Sequence, residues 1–373
     1  MTEAYLIYAS SDREPNLFYW GHFRAPDPFL ALKINEKTIA VVSTLEHGRC
    51  KKDSTFSEVL LWSDVLQAVT DQPVVDNVCK IILYLQKEYE ISSFVIPDDF
   101  PAHLYETLKK LVPIKFDTVY FQTQRQFKSK SEVEQIKAAC QLTSQAILYA
   151  RAILKKSCTD AIQPFLYYRG KILTSERLRS AIECYCLKKG GHCTGTIVSC
   201  SKQAADPHCE GTGPLYANEF VVIDVFPRLN QSGYYGDMTR TFLKGVASMR
   251  QKQLFSCVRT CQKELIRRIR PGVNTKDLMQ FAQNYFEQSG FGLRKTKGVC
   301  EGFIHSVGHG LGLGLHEYPS VGTNSVVLEP NMVFTVEPGL YFHDLGGVRI
   351  EDVVQVTSTG YQLLSRFPYQ WIL

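Results

Sequence analysis

The 373-residue chain has no apolar run near the ~18 residues that a membrane helix needs, so a protein of that class is not expected. Its first twenty residues carry Glu3, Asp12 and Glu14 and lack a basic start with an apolar core, so no secretory signal is expected either. No CxxC knuckle occurs. The twelve cysteines run from Cys50 to Cys300 without a regular framework and read as the reduced thiols of a cytoplasmic protein. Cys184, Cys186, Cys193 and Cys200 with His192 lack the paired spacing of a structural zinc site. Charge of one sign is scarce too: the net value is +5, and Lys51-Lys52 or Arg267-Arg268 are short enough to be solvated faces. Neither a nucleic-acid partner nor a membrane partner is expected. The glycines at 308, 310, 312 and 314 are not followed by GK[ST], which argues against a phosphate loop and for close backbone approach.

What is present is ordinary for a globular protein, with 45% hydrophobic and 21% charged residues, and the length fits two domains. Phe29–Ile34 and Thr38–Ser43 flank the turn-like Asn35-Glu36 and predict a hairpin. Val75–Tyr89 has helical spacing, with Val78, Ile81, Ile82 and Leu85 on one side. Ser93–Ile96 reads as a strand, Pro101 opens a short helix through Leu104, Leu108 and Leu111, and Ile114–Phe116 reads as a further strand. No catalytic constellation occurs in this part. A polar, basic segment at Arg125–Lys130 marks the boundary, giving an α/β domain over residues 1–125 and a catalytic domain over 126–373. Ser131 and Glu134 read as the capping box of a helix whose buried stripe is Val133, Ile136, Cys140, Ile147, Ala150 and Leu154. Further helices fit Ser175–Leu187 and a segment opened by Asn274 and running to about Gln288. Helices before and between strands make the expected fold class α+β.

The chemistry gathers between His305 and Asp352, in HSVGHGLGLGLHEYPS and TVEPGLYFHDLGGVRIED. Glu337 ends the apolar run Met332–Val336, and Glu351 lies in a second strand-like run, Gly347 to Val356. Carboxylates in apolar strands must pair, protonate or bind metal, because an unpaired buried charge costs several kcal/mol or more. Earlier in the chain, the apolar run Phe220–Ile223 leads into Asp224, and the segment from Tyr234 to Thr241 returns with Asp237. Side chains alternate along a strand, so Asp237, Thr239 and Thr241 share a face, as do Arg349 and Glu351. Four acids and one imidazole suit a pair of hard or borderline divalent ions.

The set Asp224, YxxDxTR ending with Asp237, HxxGHGxGLxxHExP around His309, VEPG at Glu337 and GVRIED at Glu351 resembles the pita-bread metallopeptidases, and most closely the Xaa-Pro aminopeptidase and prolidase branch. The resemblance covers about residues 128 to 373. One feature departs from it: Phe226-Pro227 stands where the family often has a glycine, and Asp224 and Asp237 are thirteen positions apart in a lengthened hairpin. The resemblance implies a creatinase/aminopeptidase-like catalytic domain behind a smaller N-terminal domain. It implies two divalent ions, manganese before cobalt, iron or zinc, with Asp224 on one ion, Asp237 and Glu351 bridging, and His309 and Glu337 on the other. Such a pair lowers the pKa of a bridging water enough to supply hydroxide.

By the same resemblance Glu337 shuttles protons, His316, His208 and His305 are catalytic, and Arg349 and Tyr341 bind substrate. The implied activity is hydrolysis of the bond between an N-terminal residue and a following proline, by a homodimer; an Xaa-Pro dipeptidase is the alternative. A methionine aminopeptidase is disfavoured by the extra N-terminal domain and by His305 with Arg349. A non-catalytic binding module is disfavoured because all five ligand positions are kept.

Overall fold

The computed structural model describes residues 2–69, 76–159, 163–296 and 298–373, and the chain divides into two compact units, Met1–Gln124 and Arg125–Leu373. Among the described residues no helix is long and apolar enough to cross a membrane.

The first unit is a six-stranded mixed sheet in the order Glu58–Leu61, Lys37–Val42, Phe29–Ile34, Thr2–Ala9, Ile91–Ile96, Ile114–Phe116. The expected hairpin is its middle, pairing Ile34 with Lys37 across a turn in which Asn35 takes a φ of 53°, a left-handed value that asparagine tolerates. Alternation explains why these strands are apolar on both faces over most of their length. Leu30, Leu32, Ile39 and Val41 enter one core, whereas Phe29, Ala31, Ala40 and Val42 enter the other. The helix anticipated from Val75 runs over Asn77–Glu88, where the Asp76 side chain accepts the Cys79 N–H at 3.0 Å; Val75 itself lies outside the described residues. After Pro101 the helix is Ala102–Leu108 and stops short of Leu111, which is exposed.

The second unit opens with a 27-residue helix, Lys130–Lys156, whose expected stripe is buried. Its capping box is Ser129 with Glu132, not Ser131 with Glu134. Both pairs have the right spacing, but the helix begins at Lys130, so Ser129 faces the orphan N–H groups. Helices Ser175–Lys188 and Thr275–Gln288 follow the expected positions, and Met249–Arg268, boxed by Ser248 and Gln251, is an addition.

Two sheets carry the acids. One orders Ile197–Cys200, Phe220–Val225 and Met238–Leu243 antiparallel, with Asp224 opposite Thr239. The other orders Glu317–Val321, Gly308–Gly310, Val333–Val336, Asp352–Val356 and Tyr361–Leu363. The run expected as one strand from Gly347 to Val356 is broken into Gly346–Arg349 and Asp352–Val356. Its partner breaks at the same level, because Val336 pairs with Asp352 and Gly339 with Arg349. At the break Pro338 has no N–H to donate. The Glu337 N–H turns to Val307 O at 2.8 Å, and the Glu351 N–H to Thr239 O at 3.1 Å. The shared break lets both acids leave the plane of their ladder toward Asp224 and Asp237.

Candidate metal centre

Asp224, Asp237, His309, Glu337 and Glu351 line one cavity of about 440 Å³, together with His208, His305, His316 and Arg349. Asp237, His309 and Glu351 each offer a ligand atom within 4.8 Å of the others, and among the described residues no other histidine, cysteine or acid group gathers this way. His309 Nε2 lies 3.4 Å from Glu337 Oε1 and 3.7 Å from Asp237 Oδ2. Asp224 lines the same cavity, and Arg349 donates to its Oδ2 at 2.8 Å.

Backbone and threonines hold these side chains in place. The Thr335 hydroxyl accepts the His309 N–H at 3.0 Å and donates to Glu337 Oε1 at 3.2 Å. The Thr239 hydroxyl donates to Glu351 Oε2 at 2.8 Å and accepts from Arg349 Nε at 3.1 Å. Gly308 admits no side chain, since a Cβ there would stand 1.9 Å from Thr335 O. Asp352, adjacent to Glu351 in sequence, is fully occupied elsewhere: Arg240, Gln262, Ser365 and Tyr369 all donate to it.

The electrostatics call for cations. Burial raises the pKa of Asp237, and repulsion from Glu351, Asp224 and Glu337 raises it further; Glu351 is raised by burial, then by Glu337 and Asp224. Burial pushes Glu337 up to about 7 although Arg349 pulls the other way. Asp224 Oδ1 and Asp237 Oδ1 are buried without a hydrogen-bond partner, a cost that ligation removes. Burial disfavours the proton on His309, leaving neutral imidazole, the form that binds metal. Four carboxylates against a single buried guanidinium, with two orphan oxygens, fit a divalent-metal site.

Residues 134–358 match metallopeptidase family M24. The chain belongs to that family. It is therefore a metal-dependent hydrolase acting on peptides, in a family that uses divalent metals in a dinuclear site. An uncharacterized peptidase of Staphylococcus saprophyticus is 30% identical over 361 residues, 94% of this chain and 93% of that protein. The prolidase of Pyrococcus horikoshii superposes with a TM-score of 0.80 at 25% identity, over 100% of this chain and 96% of that one. An X-Pro aminopeptidase of Thermotoga maritima superposes at 0.81 and 21% identity, over 100% and 98%, and shares the pita-bread fold.

Around this M24 centre the remaining anticipated residues fall at different depths. His208 and His316 are exposed on the cavity wall, and the His316 ring stands edge-on to His309 at 4.3 Å between centroids. Partial burial, then the neighbouring His309 and His208, holds His316 below the ordinary imidazole range. His305 also lines the cavity, and burial followed by Arg349 pushes it down to about 3. Tyr341 is not among the lining residues; it stands behind them, its hydroxyl 2.9 Å from His305 Nε2 and from Arg349, which donates to it. Thr335 was not legible as part of the site. Its signal was the alternation that puts it two residues before Glu337 on one face, as Thr239 is two after Asp237.

Proposed function

We propose that the protein is an Xaa-Pro aminopeptidase, releasing the N-terminal residue from peptides whose second residue is proline. The observation that carries this reading is the convergence of Asp224, Asp237, His309, Glu337 and Glu351 on one cavity with excess negative charge and unpaired carboxylate oxygens. In it Asp224, Asp237, His309, Glu337 and Glu351 would hold the two ions, the acids supplying oxygen donors and His309 a neutral nitrogen. When bound, the two ions supply a nucleophile near neutral pH and positive charge for the developing oxyanion. The donor set, rich in oxygen with one imidazole, accepts manganese, cobalt, iron or zinc, and the resemblance puts manganese first.

The chain's own groups do the rest. Glu337 takes the proton of the attacking nucleophile and returns it to the leaving nitrogen. His316 and His208, on the exposed wall, hydrogen-bond the carbonyl oxygen as it becomes anionic. His305 orients the substrate beside Asp224, held in place by Arg349 through the Tyr341 hydroxyl that both contact. Ile197, Pro207, Phe226 and Leu315 give the cavity an apolar wall that suits a pyrrolidine ring. A homodimer in the cytoplasm belongs to the same reading, and the free state of all twelve cysteines supports a reducing compartment.

The dipeptidase reading is favoured by the likeness to the Pyrococcus horikoshii prolidase. Against it, a dipeptidase needs a cation free to hold the substrate carboxylate. The one guanidinium among the described lining residues, Arg349, is 4% exposed and already bonded to Asp224, Tyr341 and Pro207 O. Metal-stripped protein reloaded with manganese is expected to hydrolyse an Xaa-Pro-Xaa tripeptide well and the Xaa-Pro dipeptide poorly. Hydrolysis of the dipeptide alone would transfer the assignment to prolidase.

A further inference from the structure

A buried ion cluster sits directly behind the loop that presents His316. Glu317 is the next residue, and its side chain is 1% exposed. Lys128 Nζ donates to its Oε2 at 2.7 Å, Arg125 Nε to its Oε1 at 3.0 Å, and the Gly314 N–H to the same Oε1 at 2.7 Å. Lys128 is itself anchored, its ammonium donating to the Arg125 carbonyl and its backbone N–H to Asn331 O. Burial alone would raise the Glu317 carboxyl, but Lys128 and Arg125 outweigh it and hold the group ionised.

The loop between the Gly308–Gly310 and Glu317–Val321 strands is wrapped onto this carboxylate. A Cβ at Gly312 would stand 2.5 Å from Glu317 Oε2 and 2.9 Å from Lys128 Nζ, and one at Gly314 would stand 3.2 Å from Glu317 Cγ. Tyr235 N–H fastens the outer side of the loop by donating to Gly312 O at 2.8 Å. His316 is the last loop residue before the Glu317–Val321 strand and lines the cavity, so a fixed Glu317 fixes the backbone from which His316 reaches it. Stability is a poor reason for such a cluster, because well-packed apolar residues of the same volume commonly do as well or better. Geometry is the better reason, since a displacement of about 1 Å in a group that acts on substrate can cost about a hundredfold in rate.

We propose that Glu317 is a positioning residue for His316, with Lys128 and Arg125 present to keep its carboxylate seated under the loop. The inference rests on the reading of His316 as a group that acts on the substrate, and it extends the site inward to three side chains that are not among the described residues lining the cavity.

The test compares the metal-loaded wild type with Glu317→Gln, His316→Ala, the double variant and Arg125→Gln, using an Xaa-Pro-Xaa tripeptide. Glu317→Gln is expected to lower kcat by roughly tenfold to a hundredfold with metal content and KM little changed. The double variant should be no slower than His316→Ala alone. The His316 imidazole NMR signals of the zinc-loaded, diamagnetic protein, assigned by their loss in His316→Ala, should move in Glu317→Gln while those of His208 stay. Losses that multiply in the double variant, or His316 signals that do not move, would overturn the proposal. Moved signals with unchanged kcat would leave the positioning standing and remove His316 from the reaction instead. Should Glu317→Gln not fold, Arg125→Gln leaves Lys128 on the carboxylate and carries the same comparison with a smaller loss; an equal loss in the His316→Ala background would overturn it.

Discussion

Two threonine hydroxyls decide how free the carboxylates are to turn. Thr335 is wholly buried, and its single oxygen serves the His309 N–H and Glu337 at once. Thr335→Val keeps the shape, strands a buried N–H and lets the Glu337 carboxylate rotate. Groups that orient a ligand in this way are worth about tenfold to a hundredfold in metal affinity, and the stranded donor costs about 1–3 kcal/mol of stability. A manganese titration of the stripped variant is expected to show that loss and Thr335→Ser to recover it; undiminished affinity in the valine variant would show the hydroxyl to be dispensable. At this scale the sequence was most informative about charged groups. An acid or histidine in an apolar strand is conspicuous because it must be compensated. A buried threonine is not, since it satisfies itself as readily with backbone, and Tyr341 was legible as a site residue without its depth being so.

At the scale of elements, glycine spacing in the His309 strand records a steric demand. A Cβ at Gly308 meets the Thr335 carbonyl, and neither strand can retreat without losing the ladder in which Gly310 pairs Phe334. Gly308→Ala is therefore expected to destabilise by about 3 kcal/mol, at the upper end of overpacking costs, and to weaken metal retention through His309. Gly48 is the control: it lies in the helix Thr44–Asp53 with open space around it, so Gly48→Ala is expected to stabilise by about 0.5–1 kcal/mol. Thermal melts of both variants check the contrast, and a Gly308→Ala protein that melts like the wild type would refute the steric reading. Local patterns also show what was legible here. The hairpin at Asn35, the long helix after Lys130 and the strand before Asp224 follow from periodicity and turn residues within a few positions. The paired break at Glu337 and Glu351 does not, because it depends on Val307 O and Thr239 O taking N–H groups that an isolated strand would offer to its neighbour. The strand Thr2–Ala9, inside the first sheet, escaped for the same reason: its partners Phe29–Ile34 and Ile91–Ile96 are distant in sequence.

Across the whole molecule, the proposed ligands come from strands of separate sheets, so cation binding and folding of the second unit are one linked equilibrium. A ligand that binds only the folded state stabilises it by about 4 kcal/mol at a thousandfold excess over Kd. Protons enter that linkage with a definite sign. Glu337 has its pKa raised to about 7, so below that pH it holds a proton that cation binding must expel, and the raised pKa values of Asp237 and Glu351 act in the same direction. His305 and His316, shifted down to about 3 and about 4, are neutral near pH 6.5 and release none, and His309 is shifted the same way. In the stripped protein a raised carboxylate favours folding most below its unfolded value, and that contribution is lost as pH rises through the folded one. The lowered histidines work oppositely, but only below their unfolded value of about 6.5. Above that pH the carboxylates act alone, and the stabilisation gained from manganese should widen as pH rises to about 8. Calorimetry of manganese uptake in buffers of different ionisation heat is expected to show net proton release at pH 6.5 that shrinks toward pH 8. Uptake with no proton release at pH 6.5 would mean that the buried acids are already ionised, and that the crowding of their charges is relieved by something other than the cations.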